Sequence, residues 1–199
     1  MDNLPDNRLV LFPRSIVVRS SVDAITGVLS EQGLTNGNLQ DSRYPEYNGH
    51  YLAGERFFDH ISFVGCSPTI QLAPPKDIHE YGNEFCHIDI RSGDKIEFLG
   101  GDNVRPPACP QCKTLDKAWQ ALLPRWAKSP EVFTRQCAEC GATKPLHMYN
   151  WRQRAGFAAM SVHIWGVHEG EAVPNTALME SLGELTRCGW DYFYLVNYA

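Results

Sequence analysis

The chain contains no run of about 18 apolar residues, so the sequence predicts no membrane-spanning helix. Its opening, MDNLPDNRLVLFPRS, has no basic segment followed by a long apolar stretch. No secretory signal is therefore expected, and a cytoplasmic location is predicted. There is no internal repeat, no low-complexity tract, and no nucleophile-elbow or phosphate-loop motif. These absences remove the usual warrants for a solenoid, a hydrolase or a nucleotide enzyme. Charged residues make up only 21% of the 199 residues and apolar ones 43%, which excludes a disordered chain and leaves enough apolar material for a real core.

Cysteine is the residue in excess. Four of the seven form two knuckles, Cys109-Pro110-Gln111-Cys112 and Cys137-Ala138-Glu139-Cys140-Gly141. Two residues between thiols let both sulfurs of a turn face one centre, and proline and glycine favour the sharp bend. Two such turns supply four soft anionic ligands in a tetrahedron, a donor set that suits Zn²⁺. The sequence predicts one structural zinc per chain, held by Cys109, Cys112, Cys137 and Cys140. Iron in a rubredoxin-like site is the alternative metal. In a reducing compartment the other three cysteines, Cys66, Cys86 and Cys188, are expected to be free thiols.

The knuckles resemble those of zinc-ribbon proteins, a broad group that includes RNA polymerase subunits, transcription factors, ribosomal proteins and many enzymes. The resemblance covers residues 105–150 and implies a metal site rather than an activity. A four-cysteine centre has no open position at which to activate water.

The formal charge of −5 is unevenly spread. Residues 105–154 carry nine Lys/Arg against three Asp/Glu, a net of +6, whereas the rest of the chain nets −11. Trp119, Trp126, Phe133, Tyr149 and Trp151 lie among these cations. Such a mixture suits a protein partner or, as an alternative, stacking on unpaired bases with phosphate contacts through Trp151, Arg152 and Arg154. Against the second reading, Trp119 and Phe133 stand where a small module needs a core.

Periodicity predicts the elements. Ser15–Ser20 reads as a strand, followed by a helix opened by Ser20-x-x-Asp23, with Val22, Ile25, Val28 and Leu29 on one side and a stop at Gly33. Residues 34–56 read as a long loop whose tyrosines, Tyr44, Tyr47 and Tyr51, pin it to the body. His60–Val64, Thr69–Leu72, Phe85–Ile90 and Lys95–Leu99 read as strands. A helix is expected between the knuckles, from Leu115 up to Pro124, and a strand at Phe133–Arg135. Met160–Trp165 alternates as a half-buried strand whose His163–Trp165 side packs under a helix or a partner. Pro174-Asn175 opens a helix with Leu178, Leu182 and Leu185 inward, and Trp190–Val196 is a final core strand, or a self-association edge if it lies outermost. Strand–helix–strand order at each end predicts an α+β body resembling a ferredoxin-like sandwich (residues 1–104 and 155–199), with a zinc-binding insert at 105–154.

The expected function is a non-catalytic zinc-binding recognition protein that docks a protein partner through its basic, aromatic insert. Nucleic-acid binding is one alternative. An enzyme with a separate site near His60, Cys66, His87 and Asp89 is the other: alternation puts His87 and Asp89 on one strand face, and a Cys–His pair would serve nucleophilic catalysis. Against it, Cys86 shares its face with Ile88 and Ile90 and reads as a buried inert thiol, and Asp89 beside His87 reads as an exposed pair. A homo-oligomer and an ordered 34–56 segment are open at this level.

Overall fold

The computed structural model describes residues 6–64, 70–75 and 85–198. The strands are β1 (Asp6–Pro13), β2 (Thr35–Asn38), β3 (Tyr51–Ala53), β4 (Ile61–Phe63), β5 (His87–Gly100), β6 (Thr134–Gln136), β7 (Thr143–Pro145), β8 (Ala155–Trp165), β9 (Ala172–Pro174) and β10 (Trp190–Asn197). The α-helices are α1 (Val22–Glu31), α2 (Phe57–His60), α3 (Trp119–Trp126) and α4 (Thr176–Thr186). Six strands form an antiparallel sheet in the order β10-β1-β8-β5-β3-β2, while β4 pairs with β9 and β6 with β7. The fold is thus mixed α/β, built on a mostly antiparallel sheet with four helices. Among the described residues no helix is long and apolar enough to cross a membrane.

Both longer helices are fixed by their caps. The Ser21 hydroxyl accepts from the Ala24 N–H, one residue later than the sequence pattern suggests, and Asn175 accepts from the Leu178 N–H. Ile25 and Leu29 of α1 and Leu178 and Leu182 of α4 are fully buried against Leu9, Leu11, Ile88, Val162 and Ile164 of the sheet. Arg187, in the left-handed conformation, ends α4, while Gln32 and Gly33 end α1.

Several expectations change. The first strand is β1, formed by the apolar run Leu9–Phe12, and not Ser15–Ser20. That segment turns on a Val18 N–H to Ser15 carbonyl bond and buries only Ile16, leaving Val17 half exposed. Residues 34–56 are not a plain loop: β2 and β3 lengthen the sheet, and Pro45–Tyr47 forms a short 3-10 turn. Gly54 makes this possible, because a Cβ there would stand 2.2 Å from the Gly33 carbonyl oxygen. Phe85–Ile90 and Lys95–Leu99 are not two strands: residues 87–90 and 95–99 both belong to β5, which starts at His87 and is interrupted by a bulge between Ser92 and Glu97 in its register with β8. β8 is buried along almost its whole length rather than on one face, because it lies between β1 and β5 with material on both sides.

Two further differences concern ends and edges. His60 is the last residue of α2, so β4 begins at Ile61; the expected continuation at Thr69–Leu72 is not a strand at residues 70–72, and residue 69 lies outside the described residues. β10 is an edge strand, not a central one. Its outer side is nonetheless capped: Asn103 donates to the Tyr194 carbonyl and accepts from the Val196 N–H, Asp102 N–H donates to the Val196 carbonyl, and Tyr194 N–H donates to the Gln153 carbonyl. Only the Trp190–Tyr192 end remains for another strand.

Between β5 and β8 the chain makes the cysteine-bearing excursion. Here α3 starts four residues later than the pattern suggests and runs past Pro124, whose missing N–H costs one intrahelical bond. Trp119, Leu122 and Trp126 bury its inner face with Leu146, Tyr149 and Trp151. The same cluster includes Ile16, Ile96, Ala155, Phe157 and Ala159, so this segment and the sheet share one core.

Candidate metal centre and a buried histidine stack

The four knuckle sulfurs lie within 4.8 Å of one another. Each knuckle is a tight turn closed by a backbone bond, Lys113 N–H to Cys109 carbonyl in the first and Gly141 N–H to Cys137 carbonyl in the second. Both turns end in left-handed residues, Lys113 (φ 66°) and Gly141 (φ 72°). The short β6–β7 hairpin carries the second knuckle, and Ala108 bridges Leu115 and Asn150 to anchor the first.

Sulfur spacing tests the fit to a metal. A tetrahedron of thiolates about 2.3 Å from a central ion has edges of about 3.8 Å. Cys109 and Cys140 are 3.9 Å apart, and Cys112 and Cys137 are 3.6 Å apart. Among the described residues this is the only group of three or more side chains that could hold a metal ion. The surroundings also prepare the thiols. The Thr114 hydroxyl and backbone N–H lower Cys112 to about 6, and the Cys112 and Gln111 N–H groups lower Cys109. The Ala142 N–H favours the Cys140 thiolate, but burial and the three neighbouring sulfurs push it up to about 11. Four thiolates this close repel one another, and a divalent cation relieves that repulsion.

The aromatic residues of the same segment are not on its surface. Trp119, Trp126, Tyr149 and Trp151 are each at most 7% exposed, and Trp151 stacks edgewise on Trp119 and Phe157. Phe133 is half-buried. The cations divide into two groups. Arg135 pairs with Asp116 at 2.7 Å, Arg154 with Glu169 at 2.7 Å, and Arg152 donates to the Pro106 carbonyl at 2.6 Å. Arg105, Lys117, Lys128 and Lys144 are exposed.

The expected cluster of His60, Cys66, His87 and Asp89 does not assemble as such. Cys66 lies outside the described residues. His60 is buried at the end of α2, where its Nε2 donates to the Gln32 carbonyl at 2.9 Å. His87 and Asp89 do share a face, but His87 is 2% exposed, not a surface residue. Cys86 is buried in the core, as its pattern implied.

Pattern reading missed what surrounds His87, because the partners come from distant segments. The rings of His50 and Trp165 stand 5.0 and 5.3 Å from it, both nearly parallel, and Tyr47 lies at 4.3 Å. The Arg8 guanidinium covers Trp165 at 3.8 Å. The side of β8 that bears His163 and Trp165 is thus covered by the 44–50 turn rather than by a helix. His50 Nε2 lies 3.8 Å from Asp89, which also pairs with Arg91 at 2.6 Å. Burial is the main cause of three depressed imidazole pKa values: His87 falls to about 3, His50 is lowered despite Asp89, and His163 is held well below its usual value.

Hydrogen bonds assign the tautomers. Arg8 can only donate, so His163 Nδ1 accepts from it at 3.3 Å, and Nε2 donates to the Ser161 hydroxyl at 2.9 Å. An imidazole that donates to the hydroxyl cannot take its proton, so Ser161 and His163 are not a nucleophile and its base. His87 Nδ1 donates to the Phe85 carbonyl, leaving Nε2 buried without a partner.

No known family, curated protein or solved structure matches this chain. Its function is therefore argued from its own residues.

Proposed function

We propose that the chain is a zinc-stabilised recognition protein whose cysteine-bearing segment, residues 105–154, docks an acidic protein partner. The observation that carries the metal part is the cluster of four sulfurs, of Cys109, Cys112, Cys137 and Cys140, all within 4.8 Å of one another. Four thiolates fill the coordination sphere of Zn²⁺, so the ion has a structural role and binds no substrate. Zinc is preferred to iron on the borderline-soft, tetrahedral donor set, although rubredoxin-type iron uses the same turns.

The partner part rests on where the charge is. The segment spends its aromatic rings on its own core and keeps Arg105, Lys117, Lys128 and Lys144 outside, above a body of net −11. With the rings buried, stacking on unpaired bases loses its platform, which favours a protein over a nucleic acid. The body is read as a ferredoxin-like sandwich: in chain order β1, α1, β5, β8, α4 and β10 follow the β-α-β-β-α-β sequence of that fold, and the extra strands β2 and β3 extend one edge.

The test joins both parts. Lys117→Glu, Lys128→Glu and Lys144→Glu together are expected to abolish cross-linking to a partner captured by the wild-type chain, while metal content and melting temperature stay unchanged. Capture that survives the triple reversal contradicts the docking face. Retention of stoichiometric metal by Cys137→Ser contradicts the ligand set.

A further inference from the structure

A cavity of about 410 Å³ opens between the β1–β10 end of the sheet and the turn at residues 147–153, where the two halves of the shared core meet. Its volume is in the range of small-molecule sites. Its walls combine two chemistries. Phe12 and Tyr192 supply aromatic surface, and Arg14, Arg152, His147 and Asp191 supply polar groups, two guanidinium cations against one acid.

Each wall is fixed by local structure. A Cβ on Gly156 would come within 3.0 Å of the Phe12 ring, so glycine lets that ring lie flat on the β8 backbone. Arg152 and Gln153 are consecutive non-glycine residues in the left-handed region, φ 53° and 54°. That conformation is unfavourable for both and persists only because neighbours impose it. Asn150 Oδ1 accepts from the Arg152 N–H, and the Gln153 carbonyl accepts from the Tyr194 N–H on the β10 edge. The turn therefore presents the Arg152 side chain at a set position. Arg152 uses one N–H on the Pro106 carbonyl, and Arg14 lies 3.6 Å from Asp191 in a loose, exposed pair, so both forks keep further donors. His147 Nδ1 is buried and has no partner, and burial lowers the imidazole pKa.

We infer that this cavity binds a small planar aromatic carboxylate, its ring against Phe12 and Tyr192 and its carboxylate on Arg152 and Arg14, which together outweigh the single charge of Asp191. A purely apolar ligand would leave the guanidinium donors unused. An aliphatic acid would not use the aromatic walls. None of the lysines on which the partner reading rests lines this cavity, so either stands if the other fails.

Calorimetry on the intact, metal-loaded chain tests it with 2-naphthoate, 2-naphthamide and decanoate as probes. Saturable 2-naphthoate binding is expected, at least about tenfold tighter than that of the other two, because charge-assisted bonds are lost with the amide and ring contacts with the alkyl chain. Arg14→Met with Arg152→Met is expected to weaken 2-naphthoate about tenfold or more with metal content and melting temperature unchanged. Both side chains are exposed, and Arg152→Met alone serves if the pair lowers stability. No 2-naphthoate binding at millimolar concentration overturns the inference. Equal binding of acid and amide, or binding untouched by the arginine variants, also overturns it.

Discussion

His87 illustrates how a single residue's environment sets a property of the whole chain. Its ring is enclosed by Tyr47, His50 and Trp165 and titrates near 3, against about 6.5 when unfolded. Below about pH 6.5 the unfolded chain takes up a proton that the folded one refuses. Stability is therefore lost as pH falls from about 6.5 toward 3, at up to about 1.4 kcal/mol per pH unit for this group. His50 and His163, also lowered, add losses of the same sign. His87→Asn retains a donor for the Phe85 carbonyl and removes the titration. Urea unfolding between about pH 5.5 and 4 should show a slope shallower by about 1.4 kcal/mol per unit; an unchanged slope contradicts the assignment. At this scale the cysteines were legible because spacing alone brings the two sulfurs of a knuckle together. The histidine stack was not, because Tyr47, His50, His87 and Trp165 meet only through the pairing of β5 with β8 and the turn over it.

Among the elements, those with a capping residue and a full apolar face, α1 and α4, could be read within a residue or two. Short strands could not. β2 has no apolar residue, β3 is only three residues long, and both owe their pairing to the close approach of Gly54 and Gly33, while β9 gains its partner from a segment over a hundred residues away. The edge of β10 was also hidden, since nothing local in Trp190–Val196 distinguishes an outer strand capped by a distant asparagine from a central one. That cap is testable. Asn103 is 3% exposed and bonds both Tyr194 and Val196. Asn103→Ala leaves two backbone groups unpaired and should cost about 1–3 kcal/mol in denaturant unfolding. Light scattering should then also show concentration-dependent self-association through the uncovered edge. A change under about 0.5 kcal/mol, with scattering unchanged from the wild type, contradicts the cap.

For the molecule as a whole, the cysteine segment is more than an appendage. Ile96, Ala155, Phe157 and Ala159 of the main sheet, with Ile16 beside it, share a core with Trp119, Leu122, Trp126 and Trp151. The sequence pattern separates the two at residues 104 and 105, but it does not reveal that the inner face of α3 is completed by β8. Removing the metal is therefore expected to loosen the sheet as well as the knuckles. With a strong chelator, tryptophan fluorescence and amide exchange at Phe157 should respond together with the 105–150 backbone. Exchange confined to the knuckles contradicts a shared core.

The central claim is one structural zinc on four cysteines. Native mass spectrometry of the freshly purified chain, with no metal added, tests it most directly. The account predicts a single zinc per chain for the wild type and none for Cys137→Ser. A metal-free wild type, iron in place of zinc, or a variant that keeps its ion contradicts it.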